Sequence, residues 1–140
     1  MTPQISVTRD IDTCLALRRV VFIDEQGVSE IDERDDLDDS AVHLLAIVGG
    51  VPVGSARLLL LGDMGKVGRV CVLRSQRGTG LGAALIRAAV DQFRAMPGIT
   101  TVKLSAQSHA TGFYEKLGFT EFGGEYEDAG IPHRDMTFPL

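Results

Sequence analysis

A glycine-rich hexapeptide, Arg77-Gly78-Thr79-Gly80-Leu81-Gly82, constrains this sequence more than any other feature. It stands between a β-branched apolar run at residues 66–73 and a helical pattern of apolar residues that ends at Pro97-Gly98. At such a junction, unpaired backbone N–H groups and the positive end of the helix stabilise phosphate oxygens, and missing side chains allow close approach. The sequence therefore predicts a pyrophosphate-binding cradle made of Arg77, Gly78, Thr79, Gly80, Leu81, Gly82 and Ala83.

Other interpretations of these glycines are weaker. Single glycines often serve only tight turns or close packing, but three in alternation favour a ligand. A nucleotide-hydrolysing loop needs Lys followed by Ser or Thr after its last glycine, and the residues here are alanines. Gly78, Gly80 and Ala83 do match the dinucleotide spacing G-x-G-x-x-A, yet the strand at residues 101–107 ends without the acidic residue that binds ribose. A dinucleotide-binding domain stays open as the lesser alternative.

The order of predicted elements indicates one mixed α/β domain over residues 1–140. A short edge strand around Ile5 precedes a helix capped by Asp10 or Asp12. Gly49-Gly50 then predicts a two-residue hairpin, and a turn at residues 62–65 leads into a third antiparallel strand.

The glycines open the longest helix, which is followed by a buried strand at residues 101–107. Because two strands flank this helix, they form a β-α-β unit and are expected to be parallel. Ser108 is expected to cap the next helix, which ends at Gly118, and one or two closing strands follow. The predicted fold is a mixed, mostly antiparallel central sheet with one parallel β-α-β unit and helices on both faces.

Composition excludes several classes of partner. With 14 Lys plus Arg, 19 Asp plus Glu and a net charge of -5, the chain has no basic footprint for nucleic acid. It has no apolar run of roughly 18 residues that spans a membrane, so we expect a cytoplasmic protein.

Cys14 and Cys71 are expected to be reduced, buried thiols, and no metal site is predicted. The acidic residues 24–39 favour cationic partners, but the simplest interpretation is a solvated surface loop, and residues 29–40 are polar and acidic enough for a mobile one.

At the cradle the sequence resembles the GNAT superfamily of acyl-CoA-dependent N-acetyltransferases. Arg77, Gly80 and Gly82 meet the family signature Q/R-x-x-G-x-G/A, and residues 112–119 (GFYEKLGF) are similar to the common ending of the family. Residues 18–26, 54–58 and 129–133 suggest the ElaA-like and YjcF-like branch. The resemblance implies the GNAT fold, acetyl-CoA as co-substrate and an amine acceptor, in a monomer or homodimer.

The resemblance also implies positions for the cofactor. It places Val70, Cys71 and Val72 beside the acetyl and pantetheine arm, with their backbone paired to it like an added strand. Gln107 stands where many relatives have an Asn that contacts the arm or the leaving group. The hydroxyl of Tyr114 is placed near the sulfur, where a phenol can protonate the departing thiolate, although its spacing alone would suit a core aromatic.

Acetyl transfer also needs a group that removes the proton from the amine. Glu25 and His133 are the candidate bases, with Glu125 and Glu127 as further ones, and each also suits a purely structural role. Arg57 and Arg69 interrupt apolar strands, which indicates either a buried pair with an acid such as Glu25 or contact with substrate.

We therefore expect direct transfer of an acetyl group to a primary amine of a small molecule. The acidic residues favour a cationic acceptor but do not identify one, and a protein N-terminus or lysine side chain stays open as the acceptor. A CoA-binding module without turnover is the alternative, because a cradle provides affinity but not catalysis.

Overall fold

The alternating apolar residues build one seven-stranded sheet, with strand order β1-β2-β3-β4-β5-β7-β6. The structure is a computed structural model that describes residues 2–140. Its strands are β1 (Gln4–Thr8), β2 (Val42–Val48), β3 (Val51–Leu61), β4 (Met64–Val72), β5 (Thr101–Gln107), β6 (Thr120–Asp128) and β7 (Ile131–Pro139). Its α-helices are α1 (Ile11–Arg18), α2 (Glu30–Glu33), α3 (Leu81–Arg94) and α4 (Thr111–Lys116).

The predicted order of strands is confirmed. Val48 pairs with Val51 across Gly49 and Gly50, whose φ angles of 57° and 79° suit a two-residue hairpin turn. β4 and β5 flank α3 and pair in parallel, whereas all other neighbouring strands are antiparallel. The prediction of a mixed, mostly antiparallel sheet with one β-α-β unit is therefore confirmed.

Helices cover both faces of the sheet. Leu44 belongs to the larger apolar cluster, which includes the α3 residues Leu85 and Phe93. Its neighbour Leu45 packs instead with Leu17 of α1. Since successive side chains of a strand point to opposite faces, α3 and α1 lie on opposite sides. Within residues 2–140, no helix is both long and apolar enough to cross a membrane.

Packing between α3 and the sheet leaves no room for a side chain at Gly65. A Cβ atom there would stand less than 3.0 Å from three atoms of the Phe93 ring, which is fully buried. Gly65→Ala should therefore lower the free energy of unfolding by about 1–3 kcal/mol, measured by urea denaturation. Gly68→Ala is the matched control in the same strand, because its Cβ would meet no atom within 4 Å. Equal losses in the two variants would contradict this account of the packing.

The end of α1 was not predicted. Asp10 caps the helix as expected, accepting a hydrogen bond from Thr13 N at 3.2 Å. The chain then continues as a π-helix over Arg19–Glu25. At its end Gln26 N donates to Val21 O, five residues earlier, at 3.2 Å. Such wide turns are rare, and they occur often near functional sites.

Most residues of the acidic segment, residues 24–39, are exposed, as expected for a solvated surface. The segment nevertheless includes α2, and ion pairs that the sequence did not indicate join it to the rest of the fold. Arg18 is 1% exposed, and it donates to Glu33 at 2.5 Å and to Asp38 at 2.7 Å. Arg57 donates to Asp35 at 2.7 Å and to Asp38 at 3.1 Å. These ion pairs fasten residues 33–38 onto α1 and β3.

Two smaller expectations also need correction. Arg57 and Arg69 do pair with acids, as suggested, but they share Asp35, whereas Glu25, the example given, pairs with Arg77. Ser108 does not cap α4, because its hydroxyl donates to Glu125 at 2.9 Å and the residue before the helix is Ala110.

Candidate functional site

The sheet opens between its two parallel strands. β4 and β5 pair from Met64 and Thr101 as far as Val67 and Leu104, and beyond this point neither strand pairs with the other. The register of β3 against β4 shifts at the same level, and Arg69 has a φ angle of 51°. An irregularity of this kind bends a strand. The result is a wedge-shaped opening between the carboxyl ends of β4 and β5.

This wedge forms a cavity of about 280 Å³. Its walls come from the end of the π-helix, the acidic segment, the separated strands, α4 and the β6–β7 turn. The polar side chains on these walls are Gln26, Asp32, Glu33, Lys66, Arg69, Ser105, Gln107, Tyr114, Asp128 and His133. Polar and apolar groups therefore line the opening in about equal measure, and its charged groups are of both signs.

The glycine cradle lies at the start of α3. Gly80 is the N-terminal cap, with a φ angle of 88° and no capping side chain. The first backbone hydrogen bond of this helix is from Ala84 N to Gly80 O at 3.0 Å, so the amides of residues 78–83 find no backbone acceptor within residues 2–140. A Cβ at Gly78 or Gly80 would meet no protein atom within 4 Å. Contacts within the protein therefore do not explain why side chains are missing here. An anion bound to the amides would explain it, because the anion needs the space that a side chain would fill.

Arg77 and Glu25, predicted separately as a phosphate contact and a base, form an ion pair with each other. Arg77 Nη2 donates to Glu25 Oε2 at 2.6 Å, and its Nε donates to Val72 O at 3.1 Å. The pair joins the end of the π-helix to the cradle and to the end of β4. Glu25, one of the two candidate bases, is therefore already paired with a cation.

The β4 residues predicted to lie beside the cofactor arm, Val70, Cys71 and Val72, have different surroundings. Val70 lines the cavity, and the β5-facing edge of the strand is unpaired here. The thiol of Cys71 is buried and lies 3.3 Å from Ser55 Oγ, and burial raises its pKa. Cys14 packs in the same cluster, where burial raises its pKa to about 11. Both cysteines are free and buried, so the predicted burial of the two thiols is confirmed.

Tyr114 lies on the cavity wall in α4. Its ring makes edge contacts with Phe113 and Phe119, at centroid distances of 5.0 and 6.2 Å. Burial raises the pKa of its phenol, so the hydroxyl stays protonated at neutral pH and can act as a proton donor.

His133 lies on the same wall, at the position of β7 that pairs with Gln107 of β5. Its Nδ1 is 2.6 Å from Ile131 O. Because a carbonyl only accepts, Nδ1 carries the hydrogen, and Nε2 of the neutral ring has a free lone pair. The ring stacks on Tyr126 at 6.1 Å, and the Tyr126 hydroxyl donates to Asp135 at 2.6 Å. This arrangement fixes both the tautomer and the plane of the imidazole.

Gln107 also reaches the opening, where its Nε2 donates to Gln26 Oε1 at 3.0 Å. Glu125 and Glu127, the further candidate bases, are exposed in β6 and do not line the cavity. Sequence reasoning missed Gln26, Lys66 and Ser105 as wall residues. For Ser105 a signal existed, because Lys103, Ser105 and Gln107 alternate with apolar residues and so share one face.

Comparison with known proteins agrees with this geometry. The acetyltransferase (GNAT) domain family matches residues 21–140. A Bacillus subtilis protein whose name assigns it provisionally to the acetyltransferases is 40% identical over 137 residues, which cover 96% of this chain and 92% of that protein. The N-acetyltransferase YjcF of the same organism, itself uncharacterised, is 36% identical over 121 residues, 86% of each chain. The crystal structure of Escherichia coli ElaA superposes with a TM-score of 0.84 at 27% identity, over 98% of both chains. The chain therefore belongs to the GNAT acetyltransferases, and it is an acyltransferase with the acyl-CoA N-acyltransferase fold.

Proposed function

We propose that residues 1–140 form a single acetyltransferase domain that moves an acetyl group directly from acetyl-CoA to a primary amine. The observation that carries the proposal is the junction of two features: a cradle of free amides at the start of α3, and a wedge beside it where β4 and β5 separate. Family membership supports acetyl-CoA as the acyl donor. A cytoplasmic location is part of the same proposal.

The chain offers a place for each part of acetyl-CoA. The diphosphate fits the amides of residues 78–83, because these amides have no backbone acceptor among residues 2–140 and the space beside Gly78 and Gly80 is open. The pantetheine arm fits the edge of β4 at Val70, Cys71 and Val72, which does not pair with β5, and it brings the reactive thioester into the wedge. The Val72 carbonyl on this edge already accepts a hydrogen bond from Arg77. Gln107 on the facing strand offers an amide that can bond the arm once it leaves Gln26.

Two side chains on the wedge supply the proton transfers. An alkyl amine has a pKa of about 10 and arrives protonated, so a base must remove one proton before attack. His133 serves this role through Nε2, directly or through a water molecule, because its other nitrogen is fixed by Ile131. Tyr114 donates its proton to the departing thiolate, and a backbone N–H near Val72 stabilises the carbonyl oxygen. Glu25 is the second candidate for the base, and its use requires release from Arg77.

A cationic acceptor is supported by fewer charges than the sequence suggested. Glu33, Asp35 and Asp38 are committed to arginines. Asp32 and Asp128 remain on the cavity wall, and neither has a cation within 4.0 Å in the part of the chain that the structure describes. These two carboxylates are therefore the groups that favour an incoming ammonium.

Calorimetric titration with acetyl-CoA, followed by a thiol-release assay over a panel of amines, tests the proposal. Micromolar binding and thiol release that depends on an amine are the expected results. Binding without release from any amine would favour a CoA-binding module, and thermal protection by NAD but not by CoA would favour dinucleotide binding. Either result would overturn the acetyltransferase proposal.

The cradle itself can be tested at Gly80. Gly80→Ala should weaken acetyl-CoA binding at least tenfold, because the new methyl group occupies the space from which the diphosphate reaches the amides. Gly62→Ala is the matched control: Gly62 also has a positive φ, 66°, and an added methyl group there would also meet no atom within 4 Å, but it lies in the β3–β4 turn. Both variants should lose about 1 kcal/mol of stability, and only Gly80→Ala should lose affinity. Unchanged affinity in Gly80→Ala would contradict the cradle.

A further inference from the structure

Lys66 is an uncompensated cation on the cavity wall. It lies in β4 one position before the strands separate, and it pairs in register with Lys103 of β5. The Lys103 ammonium is 3.3 Å from Asp135. Lys66, in contrast, has no carboxylate within 4.0 Å among residues 2–140. A positive charge therefore faces the narrow end of the wedge.

Arg69 is a second cation on this wall, and its charge is less well balanced than that of its neighbours. Arg18 and Arg57 contact carboxylates at 2.5 and 2.7 Å. Arg69 reaches Asp35 only at 3.4 Å and the Glu33 carboxylate at 3.7 Å, and its shortest bond, 3.0 Å, is to the neutral Glu33 carbonyl. Burial and repulsion from Arg57 and Arg18 lower the pKa of its guanidinium. An anion bound in the wedge would relieve that imbalance.

The backbone on this wall is strained. Arg69 and Ala129 are the two non-glycine residues with positive φ in the described chain, at 51° and 50°, and both line the cavity. The two-residue turn between β6 and β7 accounts for Ala129, whereas Arg69 lies within a strand. The left-handed conformation costs a non-glycine residue about 1–2 kcal/mol, and residues held in it cluster at ligand sites. The strain at Arg69 therefore marks this wall as a place where side-chain position matters to a ligand.

Charges of opposite sign share the cavity. Lys66 and Arg69 belong to β4, whereas Asp32 and Asp128 come from the acidic segment and the end of β6. A ligand with a single charge would satisfy one pair and leave the other unsatisfied. A ligand with an ammonium and an anionic group would satisfy both.

We propose that the acceptor is a primary amine that also carries a carboxylate, as an amino acid does, and that Lys66 and Arg69 hold the carboxylate. This inference rests on the proposed acetyltransferase function and specifies its substrate class. The amine then lies toward His133, Asp32 and Asp128, and the reaction is unchanged: the amine nitrogen forms the new bond to the acetyl carbon, and the thiolate leaves with a proton.

Matched pairs of acceptors test the proposal. Each pair is an L-amino acid and its decarboxylated amine, such as phenylalanine with phenethylamine or lysine with cadaverine. Thiol release from saturating acetyl-CoA should give a kcat/KM at least tenfold higher for the amino acid in at least one pair, as a charge-assisted contact implies. The acid without its amine, 3-phenylpropionate for phenylalanine, should inhibit competitively against the amino acid.

Lys66→Met should lower kcat/KM far more for the amino acid than for the plain amine, so that the ratio within each pair falls close to one, and it should abolish the inhibition by the acid. Because Lys66 forms no ion pair with the described residues, this change should leave the fold intact, and a thermal melt checks that. Lys116→Met is the control, since Lys116 is exposed on α4 and lies outside the cavity. Lys66→Arg should restore the preference in part.

Plain amines that match or exceed their amino acids in the wild-type protein would overturn the inference and leave the acetyltransferase proposal standing. The inference would also be overturned if Lys66→Met lowered kcat/KM equally for the amino acid and the plain amine of each pair. Absence of thiol release from every acceptor, despite binding of acetyl-CoA, would overturn both proposals together.

Discussion

Arg18→Met should lower the free energy of unfolding by about 3–5 kcal/mol, the usual cost of removing one partner from a buried ion pair. Arg18 and Glu33 are 1% and 4% exposed, so the substitution leaves the Glu33 and Asp38 carboxylates without their shortest cationic contact in a site that water scarcely reaches. Arg69 Nε, 3.7 Å from Glu33 Oε1, compensates the charge of that carboxylate only weakly. Urea denaturation at pH 7 measures the loss.

The neighbouring arginine is the control for this experiment. Arg19 pairs with Glu30 at 3.2 Å, but the two side chains are 55% and 63% exposed. Arg19→Met should therefore change stability by at most about 1 kcal/mol. If the two variants lost stability equally, the burial of the network would not be what determines its contribution.

The Arg18 effect should also depend on pH. Burial of the Asp38 carboxyl opposes its ionisation, but hydrogen bonds and charge from Arg18 and Arg57 hold its pKa below the usual range. A depressed pKa in the folded state gives stability that is present above the unfolded pKa, near 3.9, and is lost as the pH falls through the folded value. The difference between wild type and Arg18→Met should accordingly shrink below about pH 4.

Tyr114→Phe should lower kcat at least about 10²-fold, with a Kd for acetyl-CoA that changes less than threefold. Removal of a positioned acid commonly costs 10²–10⁴ in rate, and the thiolate would then leave without the proton of the phenol. The phenylalanine ring keeps the contacts with Phe113 and Phe119, so the wall of the cavity should be preserved. Steady-state thiol release and calorimetry measure the two quantities.

A parallel loss of kcat and of cofactor affinity would show that Tyr114 only shapes the binding site. An unchanged kcat would assign the proton donor to another group or to water. Urea denaturation of the variant separates either result from a loss of folding.

Short-range patterns predicted much of this architecture. Gly49-Gly50 indicated a hairpin because two adjacent positive φ angles are needed to turn the chain in two residues. The helical period after Gly80 indicated α3 and its buried face, since 3.6 residues per turn places Leu85, Ala89 and Phe93 together. The cradle could be predicted from patterns of the same short range, because it requires only a strand, glycines and the start of a helix.

The candidate site depended on contacts between distant parts of the chain. The Arg77–Glu25 pair joins residues 52 positions apart, and Gln26 meets Gln107 across 81 positions. Nothing in the local sequence of either residue specifies such a partner, and for the same reason the ion pairs that join Arg18 and Arg57 to the acidic segment were not predicted. The π-helix was missed for a related reason: its extra residue per turn is stabilised by packing and not by propensity.

By itself, the sequence determined the order of helices and strands and the position of the glycine cradle, because backbone conformation and hydrophobic period act over a few residues. Tertiary structure alone decided where β4 and β5 separate, and it also decided which charges on the cavity wall are neutralised and which are left for a ligand. Pairing across the sheet and burial of charge depend on the whole fold, because each joins groups that only the closed chain brings together.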